Sequence, residues 1–293
     1  MIISPILRSK STMAKSTIWY LRLLLLVFSL RAHAQTDSER KKMLRDSADR
    51  YFDKKTEHLN YMSYRLQLYA DSALRIDSTY AHLWRMKGFP YLQVGDIEYT
   101  LRYYDKTVEL EPQRWLAYRA FCKTVFLKDY ESGLQDFLKA DSDPAIPKYE
   151  MDHSFAFWKG ICYLELGDYK QAKALFEESI QEQTDRLGTT KVHHLDLFYL
   201  GMAHAHLKEY DRAIDCLKNS LTRYPKFSDV FYHLANIHHQ LNLDKQALDY
   251  IYWAEFYQLE GLKLNETNEI YVNFPEQIAI GDIRELMQQL TKK

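Results

Sequence analysis

A small residue returns at the same place in a helical pattern five times along this chain. It is Gly88 in WRMKGFPYL, Cys122 in YRAFCKTVF, Gly160 in AFWKGICYL, Gly201 in LFYLGMAHA and Ala235 in FYHLANIHH, at steps of 34, 38, 41 and 34 residues. A second small residue follows each one: Thr100, Gly133, Ala172, Ala213 and Ala247. Four residues later stands a large side chain: Tyr104, Phe137, Phe176, Leu217 and Ile251. Short turns (GDI, KDY, GDY, KEY, NLD) separate the two slots. Apolar residues recur at i, i+3, i+4 and i+7, and strand-like alternation is absent, so each unit reads as helix, turn, helix. The small residues let helices cross closely and the large ones fill the gaps. One such pair cannot hide its own apolar face, so neighbouring pairs must stack. Only 9 Gly and 7 Pro punctuate 293 residues, as expected for helices joined by tight turns.

The pattern resembles the tetratricopeptide repeat (TPR) family. The resemblance is carried by Trp84, Gly88, Tyr91, Gly95, Tyr104 and Pro112 in one copy. In the copy ICYLELGDYKQAKALFEESI and the residue before it, Gly160, Tyr163, Gly167, Asp168, Tyr169, Ala172 and Phe176 carry it. It implies an all-α fold, a right-handed α-solenoid of stacked TPR helix-turn-helix repeats with a C-terminal capping helix. Five repeats would span residues 81–257. Residues 35–80 would hold N-terminal helices forming a degenerate repeat, and residues 258–293 the cap. The junctions at 141–150 and 184–194 exceed the family step. The first reads as a loop, the second as a lengthened helix plus a turn. Pro90 falls inside a first helix, where it removes a hydrogen bond.

Residues 1–34 read as a signal peptide. Basic residues precede the apolar run LLLLVFSL, and Ala32 and Ala34 are small residues of the kind a signal peptidase reads, placing cleavage before Gln35. The run is short for a permanent bilayer span. The chain is therefore expected to be exported, periplasmic or secreted, with an uncleaved inner-membrane anchor as the alternative. Losing Arg8, Lys10, Lys15, Arg22 and Arg31 takes the formal charge from -1 to -6. That balance gives no reason to expect a nucleic-acid partner, since such binders show a strongly basic face. Cys122, Cys162 and Cys216 read as small packing residues in helices rather than as a disulfide framework.

What the TPR resemblance implies for function is a groove lined by the first helices, in which a peptide or protein segment lies. At helical spacing the groove-facing residues would be His82, Arg85, Phe89, Leu116, Arg119, Lys123, Phe157, Ile161, Glu165, Phe198, Met202, His206, Tyr232, Asn236 and His239. The early part of this set is basic and the later part aromatic, which suits an acidic segment with apolar anchors. No nucleophile elbow, zinc-protease motif or phosphate-binding glycine loop occurs, so no enzyme and no cofactor are expected. Histidines crowd the last two repeats (His193, His194, His204, His206, His233, His238 and His239), but they show no ligand spacing, and no metal is expected. The function this supports is a non-catalytic scaffold or adaptor. A membrane-anchored sensor or envelope-complex assembly subunit is the alternative, and a histidine-dependent metal-binding protein a more distant one.

Overall fold

The structure is a computed structural model. It describes residues 35–264 and 273–292; the expected signal peptide lies outside the described residues. The chain divides into two compact units, one ending at Lys87 and the other beginning at Gly88.

The first unit contains helix α1 (residues 35–56), α2 (Tyr64–Ile76) and the opening of α3 (Ala81–Val94). Ala48 and Phe52 of α1, Leu66, Ala70 and Ala73 of α2, and Leu83 and Met86 of α3 form its core. Because Leu83 and Met86 are needed there, the division falls inside α3 rather than before it. Asp77 stops α2 and accepts from the backbone and hydroxyl of Thr79 at 2.9 and 2.7 Å, with Arg45 paired to it at 3.3 Å.

In the second unit the helices run α4 (Ile97–Leu110), α5 (Pro112–Val125), α6 (Tyr130–Ser142), α7 (Phe155–Glu165), α8 (Tyr169–Leu187), α9 (His194–His206), α10 (Tyr210–Arg223), α11 (Ser228–Gln240), α12 (Asp244–Leu259) and α13 (Ile280–Thr291). Each first helix packs on its own second helix, α5 on α6, α7 on α8, α9 on α10 and α11 on α12. Each second helix then packs on the next pair. This is the stacked α-solenoid the repeat implies. All five first-slot residues are buried, as are the second-slot residues and the large residues after them. The slot logic is steric. A Cβ built on Gly160 would stand 2.7 Å from the Phe176 ring, and one on Gly88 2.6 Å from the Tyr104 ring.

Each turn carries one left-handed residue: Gly95, Lys128, Gly167, Lys208 and Asn242, with φ from 56 to 83°. Asp96, Asp129 and Asp168 then cap the second helix by accepting from Tyr99, Ser132 and Gln171 backbone amides at 3.1–3.2 Å. Pro90 lies inside α3, and Pro112 opens α5 at a position where its missing donor costs nothing. The three cysteines are free thiols.

The two long junctions take different forms. The second is the lengthened helix and turn that the sequence suggests: α8 runs to Leu187, Gly188 turns at φ 87°, and a 3-10 turn follows over Thr189–Lys191. The first is more than a loop. It ends in a small antiparallel hairpin, β1 (Tyr149–Glu150) against β2 (His153–Ser154), with Met151 and Asp152 both at positive φ. That is the backbone a two-residue hairpin turn requires. At the other end, α13 caps the stack by burying Ile283, Leu286 and Leu290 against Ala235, Ala247, Ile251 and Ala254.

Candidate functional site: a groove already holding a segment of its own chain

The second helices α4, α6, α8 and α10 are amphipathic, with a single buried stripe such as Ala172, Phe176, Ser179 and Gln183 on α8. The first helices are buried on most sides. In α7 every residue but Tyr163 and Glu165 is buried, and α9 is similar. A helix packed by both its partner and the preceding repeat leaves little free face.

This corrects part of the expected site. Leu116, Phe157, Ile161, Phe198 and Met202 are buried. Met202 lines a cavity; the others are core, because α5, α7 and α9 bury the sides that carry them against neighbouring helices. Arg119 and Lys123 are not a free basic patch either. Arg119 grips Asp136 with two bonds of 2.8 Å and Asp105 at 2.6 Å, and Lys123 meets Asp136 at 2.8 Å. Burial works against the Arg119 charge, but the bonds and charges of Asp136 and Asp105 raise its pKa. The network joins α4, α5 and α6 and is structural. His82 and Arg85 line a cleft of about 640 Å³ within the first unit, beside Phe52 and Tyr61. Phe89 is half-buried on α3, and His239 is held by Asp244 at 2.6 Å.

The structure brings together a different subset. Met202, His206, Tyr232 and Asn236 surround a cavity of about 320 Å³, and its far wall is Glu276, Gln277 and Ile278. These last residues belong to a segment, 273–278, that precedes α13 and contacts α9 and α11. Tyr199 donates its hydroxyl to the Pro275 carbonyl at 2.9 Å. His206 bonds the Glu276 carboxylate at 2.6 Å, and the His233 ring meets the Glu276 carbonyl at 3.0 Å. The Lys128 ammonium reaches the Asn273 carbonyl. Phe274 and Ile278 are buried. Asp229, fully buried at the start of α11, accepts from the amides of Leu264 (2.8 Å) and Ile278 (3.0 Å), so one carboxylate holds both backbone positions.

The electrostatics match the contacts. The hydrogen bond to Glu276 raises the His206 pKa against the effect of burial, and Tyr169 stacks on the ring at 4.5 Å. Burial pushes the Glu276 carboxyl up, but His206 and the charge of His233 outweigh it, and the net shift is downward. Burial drops Lys128 to about 8, partly offset by Glu165. The segment turns at Pro275–Glu276, with the Gln277 amide donating to the Phe274 carbonyl at 3.1 Å. Glu276 sits at φ 58°, in the slot of that turn where glycine or asparagine is usual. A non-glycine residue there costs about 1–2 kcal/mol, and the grip on its carboxylate offsets that cost.

Tetratricopeptide-repeat family models match residues 153–185 and 194–227, which are the α7–α8 and α9–α10 hairpins. The chain carries tetratricopeptide repeats. Among solved structures this TPR chain is similar to PilW, described as a widely conserved type IV pilus biogenesis factor, with a TM-score of 0.57 at 15% identity, covering 84% of this chain and 98% of that one. PilF of Pseudomonas aeruginosa matches with a TM-score of 0.57 at 15% identity, over 85% and 99%. MamA from Desulfovibrio magneticus RS-1 matches with a TM-score of 0.50 at 19% identity, over 61% and 96%. At such identities the likeness is one of fold. No curated protein matches the sequence. No helix among the described residues is long and apolar enough to cross a membrane.

What sequence reasoning missed in this TPR is the 273–278 segment, which it folded into the cap. Its signal is faint: one Phe-Pro pair, one acidic residue and one Ile just before α13. The clearer clue lies in α11, where Asp229 is followed by an apolar face and needs buried donors from somewhere.

Proposed function

We propose that this TPR protein is a non-catalytic scaffold whose groove, along α7, α9 and α11, holds an acidic segment with apolar anchors from a partner protein. The observation that carries this reading is the chain's own Phe274–Ile278, a segment of that character, seated on His206, His233, Tyr199 and Lys128. A surface that desolvates Phe274 and Ile278 while meeting a carboxylate with imidazole suits any segment of similar chemistry. A partner would compete with the resident segment, whose tether gives it a high effective concentration.

The test is a fluorescent peptide copying residues 273–279, followed by anisotropy on three proteins. Saturable binding is expected to a Phe274→Ala/Glu276→Ala protein, at least tenfold weaker binding to the unaltered chain, and loss on adding His206→Ala. Equal or absent binding across all three would remove the groove from the reading. We further propose that the protein works outside the cytoplasm, which rests on the charged, apolar and small-residue regions of residues 1–34. N-terminal sequencing of the mature protein is expected to begin at Gln35; a retained Met1 or Met13 would favour the membrane-anchored alternative.

A further inference from the structure

Both lengthened junctions end at one buried cluster. The hairpin of the first delivers His153, the 3-10 turn of the second delivers His193, and the first turn of α9 adds Asp196. One donor atom from each of the three lies within 4.8 Å of the other two. Asp196 is fully buried and His153 nearly so. The Oδ1 atom of Asp196 accepts from the Ser179 hydroxyl at 2.6 Å, whereas Oδ2 has no hydrogen-bond partner. The nearest basic atom to Oδ2 is Nδ1 of His153 at 3.7 Å, too far for a hydrogen bond. A buried carboxylate left in this way is costly unless a cation meets it.

We propose that His153, His193 and Asp196 bind one divalent transition-metal ion, of which zinc is the type, with a further coordination position open. Two imidazoles and a carboxylate are a common donor set for such ions. Ligands 2.0–2.2 Å from a tetrahedral ion stand about 3.3 Å apart, so small side-chain rotations from the present spacing close the site. An outer layer already fixes the donors. Ser179 holds Asp196 and is bonded by Ser154 at 2.9 Å, while Gln183 accepts from the His193 amide at 2.9 Å. The His153 ring stacks on Phe157 with centroids 3.9 Å apart. Metal ligands are usually oriented by a shell of this kind. Bound there, the ion joins the two junctions, which the repeat itself does not require.

The experiment uses the purified protein stripped with a chelator, dialysed, and titrated with Zn²⁺ by calorimetry and with Co²⁺ by visible absorption. One equivalent of Zn²⁺ is expected to bind and to raise Tm, with Co²⁺ giving the strong visible bands of a site with fewer than six ligands. His193→Gln, on a half-buried loop, is expected to weaken binding at least tenfold. Asp196→Asn keeps the side chain's shape, so its metal-free form is expected to be at least as stable as the unaltered metal-free protein, yet to gain nothing from Zn²⁺. His239→Ala, far from the cluster in sequence and bonded elsewhere, leaves binding unchanged. Absence of stoichiometric binding overturns the proposal, as does binding that survives His193→Gln and Asp196→Asn together.

Discussion

Lys128 and Lys208 occupy the same turn slot in two repeats, a left-handed position that Gly95 and Gly167 fill in two others. A side chain there costs about 1–2 kcal/mol, and glycine's extra freedom in the unfolded chain gives back about 0.5–1 kcal/mol of any gain from replacing it. Lys208 is exposed, and Lys208→Gly is expected to stabilise the protein by about 0.5–1 kcal/mol, read as a higher denaturation midpoint. A lower midpoint would mean that the ammonium makes a contact worth more than the strain. Lys128 differs because its ammonium meets the Asn273 carbonyl. There the same exchange relieves the backbone but removes a contact of the docked segment. Both turns were readable as turns. That one lysine has a partner 145 residues away was not, because nothing local marks it.

Among elements, the helical hairpins were legible because their signal is steric and repeats: Gly160 under Phe176 needs no wider context. The faces of the first helices were not legible, since spacing alone cannot tell a groove from a second packed neighbour. Phe157 and Phe198 therefore looked like groove residues and are core. The docked segment adds a pH dependence. His206 is raised above its ordinary 6.5, so its contribution is complete below that value and is lost as pH climbs through the raised pKa. Glu276 is lowered from 4.5, so its contribution is complete above that value and is lost as pH falls through the depressed one. The pair is thus complete between about 4.5 and 6.5 and loosens first on the alkaline side. Three other groups face it. The His233 ring, 3.0 Å from the Glu276 carbonyl, favours the ionised Glu276 carboxylate. Glu165 is raised by burial and then by Glu276, and Lys128, lowered by burial to about 8, still carries its charge through that window. NMR titration is expected to place His206 above 6.5 and to return it toward 6.5 in Glu276→Gln. Identical curves would show that the carboxylate does not hold the ring.

At the scale of the larger unit, the segment changes how the stack ought to unfold. In a solenoid each repeat touches only its neighbours, so stability is a sum of local terms and unfolding can run in from one end. Residues 273–278 break that rule. They touch Lys128 in the turn between α5 and α6, Tyr199 and His206 on α9, and His233 on α11, so a single short segment ties the second, fourth and fifth repeats together. Fraying of α11 and α12 must then release contacts made to the α5–α6 turn and to α9 as well. Phe274→Ala/Glu276→Ala weakens the tie by taking away its buried ring and its bond to His206, and leaves the helices of the repeats unaltered. Its expected effect is therefore a loss of cooperativity as well as of stability: a broader guanidinium transition with a smaller m-value, and hydrogen exchange in α11–α12 that becomes faster than in α5–α8. A transition that shifts to lower denaturant with its slope intact would mean that nearest-neighbour packing already makes the unit cooperative. The segment would then act at the groove alone, as an occupant that a partner displaces without altering the fold around it.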